Sequence, residues 1–199
     1  MKRIGIFSGT FDPVHDGHIS FAKQAVRQGE LDKVFFLVEP RPRRKQGVKA
    51  LEHRIEMVKL AIAKEPQLGL IILEQARFNV AETLPLLEAR FQGAELYMLL
   101  GEDVLGHLAH WPQVERLTAS VMFVIGIRKL SKSDIGQRVK TIETVRGVTI
   151  RYQTFRSSHN DYASSSLRLQ IKRGQQPAGL DPAVYRYIQA VGLYASAEA

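Results

Sequence analysis

The chain has 199 residues, 45% of them hydrophobic and 24% charged, with a net charge of +8 and no cysteine. This balance suits a globular chain with a full core and excludes a disordered polymer, a disulfide framework and a thiolate metal site. No apolar run approaches the roughly 20 residues that span a bilayer, and Met1-Lys2-Arg3 leads into an apolar run too short for a secretory signal. The expectation is a cytoplasmic protein of one domain, residues 1–199.

In chain order, Ile4–Phe7 reads as a first buried strand and Ile19–Val26 as a helix, with Ile19, Phe21, Ala22, Ala25 and Val26 at helical spacing. Val34–Val38 reads as a strand and Leu51–Ile62 as a helix with Ile55, Val58, Leu60, Ala61 and Ile62 on its buried side. Leu70–Leu73 is a strand and Val80–Phe91 a helix. Leu96–Leu100 and Val121–Ile125 are strands ending in glycine, 132–145 is a helix, and Val148–Ile150 a last strand. The polar stretch 153–163 reads as a connection, followed by tail helices over 164–173 and 181–191. Continuous apolar strands alternating with helices predict a doubly wound, Rossmann-like α/β fold, a parallel sheet covered on both faces, with a short helical C-terminal tail. Such sheets bind ligands beyond the carboxyl ends of their strands, where the strand order reverses.

The residues after the first strand carry the strongest signal: Ser8-Gly9-Thr10-Phe11-Asp12-Pro13-Val14-His15-Asp16-Gly17-His18. Gly9 allows close approach of backbone amides to a ligand. Asp16 suits the N-cap of a helix starting near Gly17. A helix start presents free N–H groups and a partial positive charge, which favour phosphate. His15 and His18, three apart, can point the same way there. Two imidazole donors beside amides would stabilise charge developing on a phosphoryl oxygen. A metal pair is the competing account, but no suitably spaced third ligand stands nearby. Walker A and GxGxxG sequences are absent.

The run Gly9-Thr10-Phe11-Asp12-Pro13-x-His15-x-Gly17-His18 resembles the signature of the HxGH nucleotidyltransferase superfamily, and within it the nicotinate (or nicotinamide) mononucleotide adenylyltransferases. Phosphopantetheine adenylyltransferases usually have threonine at the position of His15. Cytidylyltransferases usually lack Pro13 and carry a later arginine-threonine-glutamate-glycine run that this chain does not have. The resemblance runs from residue 4 to about 194, ending on Leu180–Val184, Tyr187-Ile188 and Gly192–Tyr194.

That resemblance implies AMP transfer from ATP, with Mg²⁺ arriving on the ATP, to a pyridine mononucleotide in NAD biosynthesis. Gly9, Thr10, Phe11, His15, Gly17 and His18 would meet ATP, with His15 and His18 catalytic. Gly101-Glu102-Asp103 resembles the family's glycine-x-aspartate, so Gly101 and Asp103 are expected at the adenosine sugar. The family's serine-serine-threonine-x-isoleucine-arginine segment falls on Ala163-Ser164-Ser165-x-Leu167-Arg168, so Ser164, Ser165 and Arg168 are expected on the phosphates, with Ala163 replacing the first serine. An ordinary serine N-cap is the plainer account of this segment.

Trp111 matches the family's pyridine-side tryptophan, and Arg54 and Met57 match the helix after the second loop. Lys45, or a neighbour in the basic loop of Arg41, Arg43, Arg44 and Lys49, would reach the triphosphate. Residues 40–49 are therefore expected to form a lid, although a solvated basic surface explains most such side chains. Of the nicotinate-specific segment, only Thr83 and Leu84 survive in Asn79–Leu84, which keeps nicotinamide mononucleotide or another phosphorylated acceptor open. A nucleic-acid-binding module, motivated by the +8 charge, is the other alternative. It is disfavoured because such a module has no use for a histidine pair. A homo-oligomer is left open.

Overall fold

The computed structural model describes residues 1–41, 46–72, 78–157 and 162–195. Its elements are β1 (Lys2–Gly9), α1 (Asp16–Gln28), β2 (Lys33–Val38), α2 (Leu51–Ile62), β3 (Leu68–Ile72), α3 (Val80–Arg90), β4 (Ala94–Gly101), α4 (Glu102–Leu105), a 3-10 turn (Leu108–His110), α5 (Val114–Ser120), β5 (Val121–Ile127), α6 (Lys132–Arg146), β6 (Tyr152–Arg156), α7 (Ser164–Lys172) and α8 (Pro182–Ala190). The six strands form one sheet in the order β3-β2-β1-β4-β5-β6, and every pairing is parallel. The order reverses between β1 and β4, so a crevice opens beyond their carboxyl ends at Gly9 and Gly101.

Alternation along each strand divides the interior into two cores. Leu96, Met98 and Leu100 of β4 pack on one face with Ile4, Ile6, Phe123 and Ile125, covered by Leu84, Leu117, Ile135 and Val139 from α3, α5 and α6. Tyr97 and Leu99 point to the other face, where Phe36, Val58, Ala22 and Val184 bring in β2, α2, α1 and α8. Side chains in a strand point alternately to opposite faces, so an unbroken apolar run is what a sheet buried on both sides requires. The cross-over helices follow from the same rule, because parallel neighbours cannot be joined by a hairpin. Among the described residues, no helix is long and apolar enough to cross a membrane.

Three sequence expectations need correction. The last strand is Tyr152–Arg156, not Val148–Ile150. Gly147 ends α6 in the left-handed region at φ 63°, and the next residues close that helix end. Val148 N–H donates to the Glu143 carbonyl at 3.2 Å and Ile150 N–H to Glu143 Oε1 at 2.8 Å. The true strand is polar because it lies at the sheet edge, where only Phe155 is buried. Second, His15, not Asp16, occupies the N-cap of α1, and Asp16 is its first helical residue. Third, α4, the 3-10 turn and α5 interrupt what the sequence left as one connection between β4 and β5. They are too short for a helical period to register.

Candidate active site

The β1–α1 loop forms the floor of a cavity of about 580 Å³ at the switch point. Phe11 adopts a left-handed backbone at φ 50° and is 2% exposed. A bulky residue held there costs energy that its surroundings must offset. Its ring lies edge-on to His18 at 5.1 Å and to Phe7 at 5.4 Å. Gly9 leaves room for it, since a Cβ at Gly9 would stand 2.7 Å from the Phe11 ring. A Cβ at Gly17 would press the His15 ring at 3.0 Å, so glycine there lets the imidazole lie across the helix start.

The two histidine rings stack with centroids 3.7 Å apart and planes 29° apart. The backbone N–H of His15 donates to His18 Nδ1 at 3.3 Å. An Nδ1 that accepts carries no proton, so a neutral His18 holds its proton on Nε2. His15 is 7% exposed, and its Nδ1 is buried without a hydrogen-bond partner among the described residues. Burial, helped by the charge of Arg128, lowers the His15 pKa to about 4. It is therefore neutral at pH 7 and offers one N–H.

That burial has a consequence for stability. The unfolded chain takes up a proton on His15 near the ordinary value of 6.5, whereas the folded chain does so only at about 4. Stability is therefore complete above pH 6.5 and is lost as the pH falls toward 4. Between pH 7 and pH 5 the expected loss from this group is about 2 kcal/mol. Urea unfolding at the two pH values should show it, and His15→Gln should flatten the difference. An unchanged pH slope in that variant would place the titration on another group.

Several contacts buttress the loop. Arg168 Nη1 donates to the Asp12 carbonyl at 2.6 Å and lies 3.9 Å from Asp12 Oδ2. Tyr194 donates its hydroxyl to Asp12 Oδ1. Burial, with this bond second, pushes the phenol well above its ordinary range. Ser164 Oγ donates to the Pro13 carbonyl at 3.0 Å. Ala163, which has no hydroxyl, is the N-cap of α7, and no side chain caps that end. The amide-rich start of α7 adjoins the cavity through Ala163, Ser164 and Ser165 and suits an anion.

All the expected ATP-side residues line this one cavity: Gly9, Thr10, Phe11, His15, Gly17, His18, Gly101, Asp103, Ser164, Ser165 and Arg168. Three others do not. Arg54 is 1% exposed. Its guanidinium donates to the carbonyls of Lys49, Thr10, Glu39 and Pro40 at 2.7 to 2.9 Å. These bonds tie the motif loop at Thr10 to Glu39, Pro40 and Lys49.

Thr83 is 0% exposed, and its Oγ1 accepts the Asn79 N–H at 3.0 Å. It serves the start of α3, where Asn79 Oδ1 also caps the Glu82 N–H at 2.7 Å. Trp111 is half-buried against Phe78, ring centroids 6.2 Å apart. Lys45, with Arg43 and Arg44, lies outside the described residues.

Sequence reasoning missed Arg128 and Glu102. Arg128 follows β5 directly and lines the cavity. The Glu102 carboxylate accepts the backbone N–H groups of Arg128 at 2.9 Å, Lys129 at 3.0 Å and Leu130 at 3.1 Å. Burial would raise this carboxyl, but these bonds and the Arg128 charge outweigh it and hold it below the ordinary range. The available signal was position: a cation immediately after a parallel strand belongs at the ligand-binding edge.

A Rossmann-like sheet that gathers a histidine pair and helix N-termini at its switch point defines a nucleotidyltransferase. Residues 6–169 match the cytidylyltransferase-like family. The chain belongs to that family, in its nicotinate-nucleotide adenylyltransferase branch. It is 35% identical over 134 residues to the nicotinate-nucleotide adenylyltransferase of Bacillus subtilis (strain 168), covering 65% of this chain and 70% of that one. A Gloeobacter violaceus protein named "Probable nicotinate-nucleotide adenylyltransferase" is 32% identical over 201 residues, covering 97% and 96%. In fold, the chain is similar to the Plasmodium falciparum nicotinic acid mononucleotide adenylyltransferase complexed with NaAD. The TM-score is 0.78 at 18% identity, over 98% of each chain.

Proposed function

We propose that this protein transfers AMP from ATP to nicotinate mononucleotide, acting in the cytoplasm as a single unit over residues 1–199. A 5′-phosphate oxygen of the mononucleotide forms a bond to the α-phosphorus of ATP. The bond from that phosphorus to the α,β-bridging oxygen breaks, and its electron pair leaves with pyrophosphate. The product is deamido-NAD. The attacking oxygen is already anionic, so no general base is needed, and catalysis is positioning plus electrostatics.

The observation that carries this reading is the stacked His15/His18 pair at the start of α1, beside the uncapped start of α7 in one cavity. In this reading His15 and His18 donate to the α-phosphoryl oxygens. Ser165, Arg168 and the α7 amides hold the β- and γ-phosphates. Asp103 accepts from the ribose hydroxyls, and the half-buried Trp111 faces the pyridine side. Among the described residues no group of three or more His, Cys, Asp or Glu could hold a metal ion. Mg²⁺ is taken in this reading as part of the MgATP substrate, chelated by its phosphates.

The acceptor follows the names of the relatives above. The test is pyrophosphate release from MgATP with nicotinate and nicotinamide mononucleotide supplied separately. The expected result is faster release with the nicotinate form. Preference for the nicotinamide form, or release with neither, would overturn the acceptor.

A further inference from the structure

Arg128 differs from the other cation of the cavity wall. Arg168 is partly committed, with Nη1 bonded to the Asp12 carbonyl and 3.9 Å from the Asp12 carboxylate. Arg128 is exposed, and no ion pair among the described residues takes its guanidinium. Yet its backbone is held unusually well. The three N–H groups of residues 128–130 converge on the one carboxylate of Glu102. Glu102 opens α4 immediately after β4, so this clamp ties the carboxyl end of β4 to that of β5. Arg138 Nη1 adds a contact to the Glu102 carbonyl at 3.4 Å. A turn fixed this firmly presents a guanidinium that has no ion pair among the described residues at the mouth shared by His15, His18 and Ser165. Its charge also reaches the His15 ring, which it helps keep neutral. A planar, permanently charged fork beside a cavity with two helix N-termini suits the oxygens of a phosphate chain.

We propose that Arg128 binds the phosphate chain of the nucleotide and that Glu102 is its positioning residue, clamping the turn that aims it. The proposal rests on the reading that ATP occupies this cavity, but not on the identity of the acceptor. A triphosphate brings several negative charges, which a half-engaged Arg168 and a neutral His15 leave largely unmatched. Arg128 supplies a further positive charge for them. Glu102 acts only through the turn, without touching substrate.

The test is calorimetric titration of the full chain with α,β-methylene-ATP and, separately, with adenosine. Arg128→Gln should weaken α,β-methylene-ATP by about tenfold or more, as expected for losing a charge-assisted contact, and leave adenosine within about twofold. Arg128→Lys should recover part of the loss. In turnover, Arg128→Gln should raise KM for ATP while changing KM for the mononucleotide little. Glu102→Gln should show a smaller loss of the same pattern, with faster hydrogen exchange at the amides of residues 128–130. Binding of α,β-methylene-ATP by Arg128→Gln at wild-type strength would overturn the proposal. So would an equal loss of adenosine, which would mean that the residue only shapes the turn. Should the wild-type chain adenylylate neither mononucleotide while still binding α,β-methylene-ATP in an Arg128-dependent way, the acceptor assignment falls and this one stands.

Discussion

His18→Ala is expected to lower kcat by about 100-fold or more while leaving KM for ATP within a few-fold, as typical for loss of a preorganised donor. His18 is the third residue of α1, lines the cavity and stacks on His15. The His15 N–H bonded to its Nδ1 leaves the proton on Nε2. Charge grows on the α-phosphoryl oxygens only as the new bond forms, so this donor matters more in the transition state than in the ground state. Removing it should therefore act on kcat. His18→Asn, which keeps a short donor, should lose less than alanine. Single-turnover measurement of pyrophosphate release separates the chemical step from product release. Near-normal turnover in His18→Ala would remove His18 from the catalytic assignment.

The second large effect is on stability. Arg54→Ala should cost about 3 kcal/mol or more. The guanidinium is almost wholly buried and donates to four backbone carbonyls of two loops. Burial lowers its pKa below the ordinary value, opposed by the nearby carboxylates of Asp12, Glu39 and Glu52. Deleting the side chain leaves those carbonyls without these donors and empties the space of one of the largest fully buried side chains. Arg54→Lys keeps the charge but not the fork. One ammonium cannot reach the carbonyls of Thr10, Glu39, Pro40 and Lys49 together, so at least half of the loss should persist. Urea unfolding of the two variants is the measurement. A lysine variant within about 0.5 kcal/mol of wild type would mean that charge alone suffices there. Because Arg54 sets the Thr10 carbonyl, both variants should also turn over more slowly.

The sequence reading and the structure diverge where physical context decides. Asn79–Glu82, which departs from the nicotinate-specific pattern, proves to be a helix cap, with Asn79 accepting from Glu82 and Thr83 closing the turn. Arg54 matched a family position, yet no property of the string of residues distinguishes an arginine facing substrate from one facing four carbonyls. Arg128 is one of seven cations between residues 128 and 151, with Lys129, Lys132, Arg138, Lys140, Arg146 and Arg151, and nothing in the string singles it out. Only the strand end of β5 and the reach of Glu102 set it apart.

By itself the sequence determined the parallel sheet, its six strands in outline and the motif that carries the chemistry. Unbroken apolar runs such as Val34–Val38 and Leu96–Leu100 can be buried only on both faces, and Gly9–His18 is a local string whose residues act together because they are adjacent. Tertiary structure decided everything that depends on distant residues meeting. It brought Arg168 and Tyr194 onto Asp12 and Ser164 onto Pro13. It buried His15 until its ring stays neutral. It also moved the last strand to Tyr152–Arg156, where pairing with β5 compensates for a polar sequence. Side-chain spacing encodes which face a residue takes. Which partner waits there depends on chain closure over as many as 182 residues, the separation of Asp12 and Tyr194.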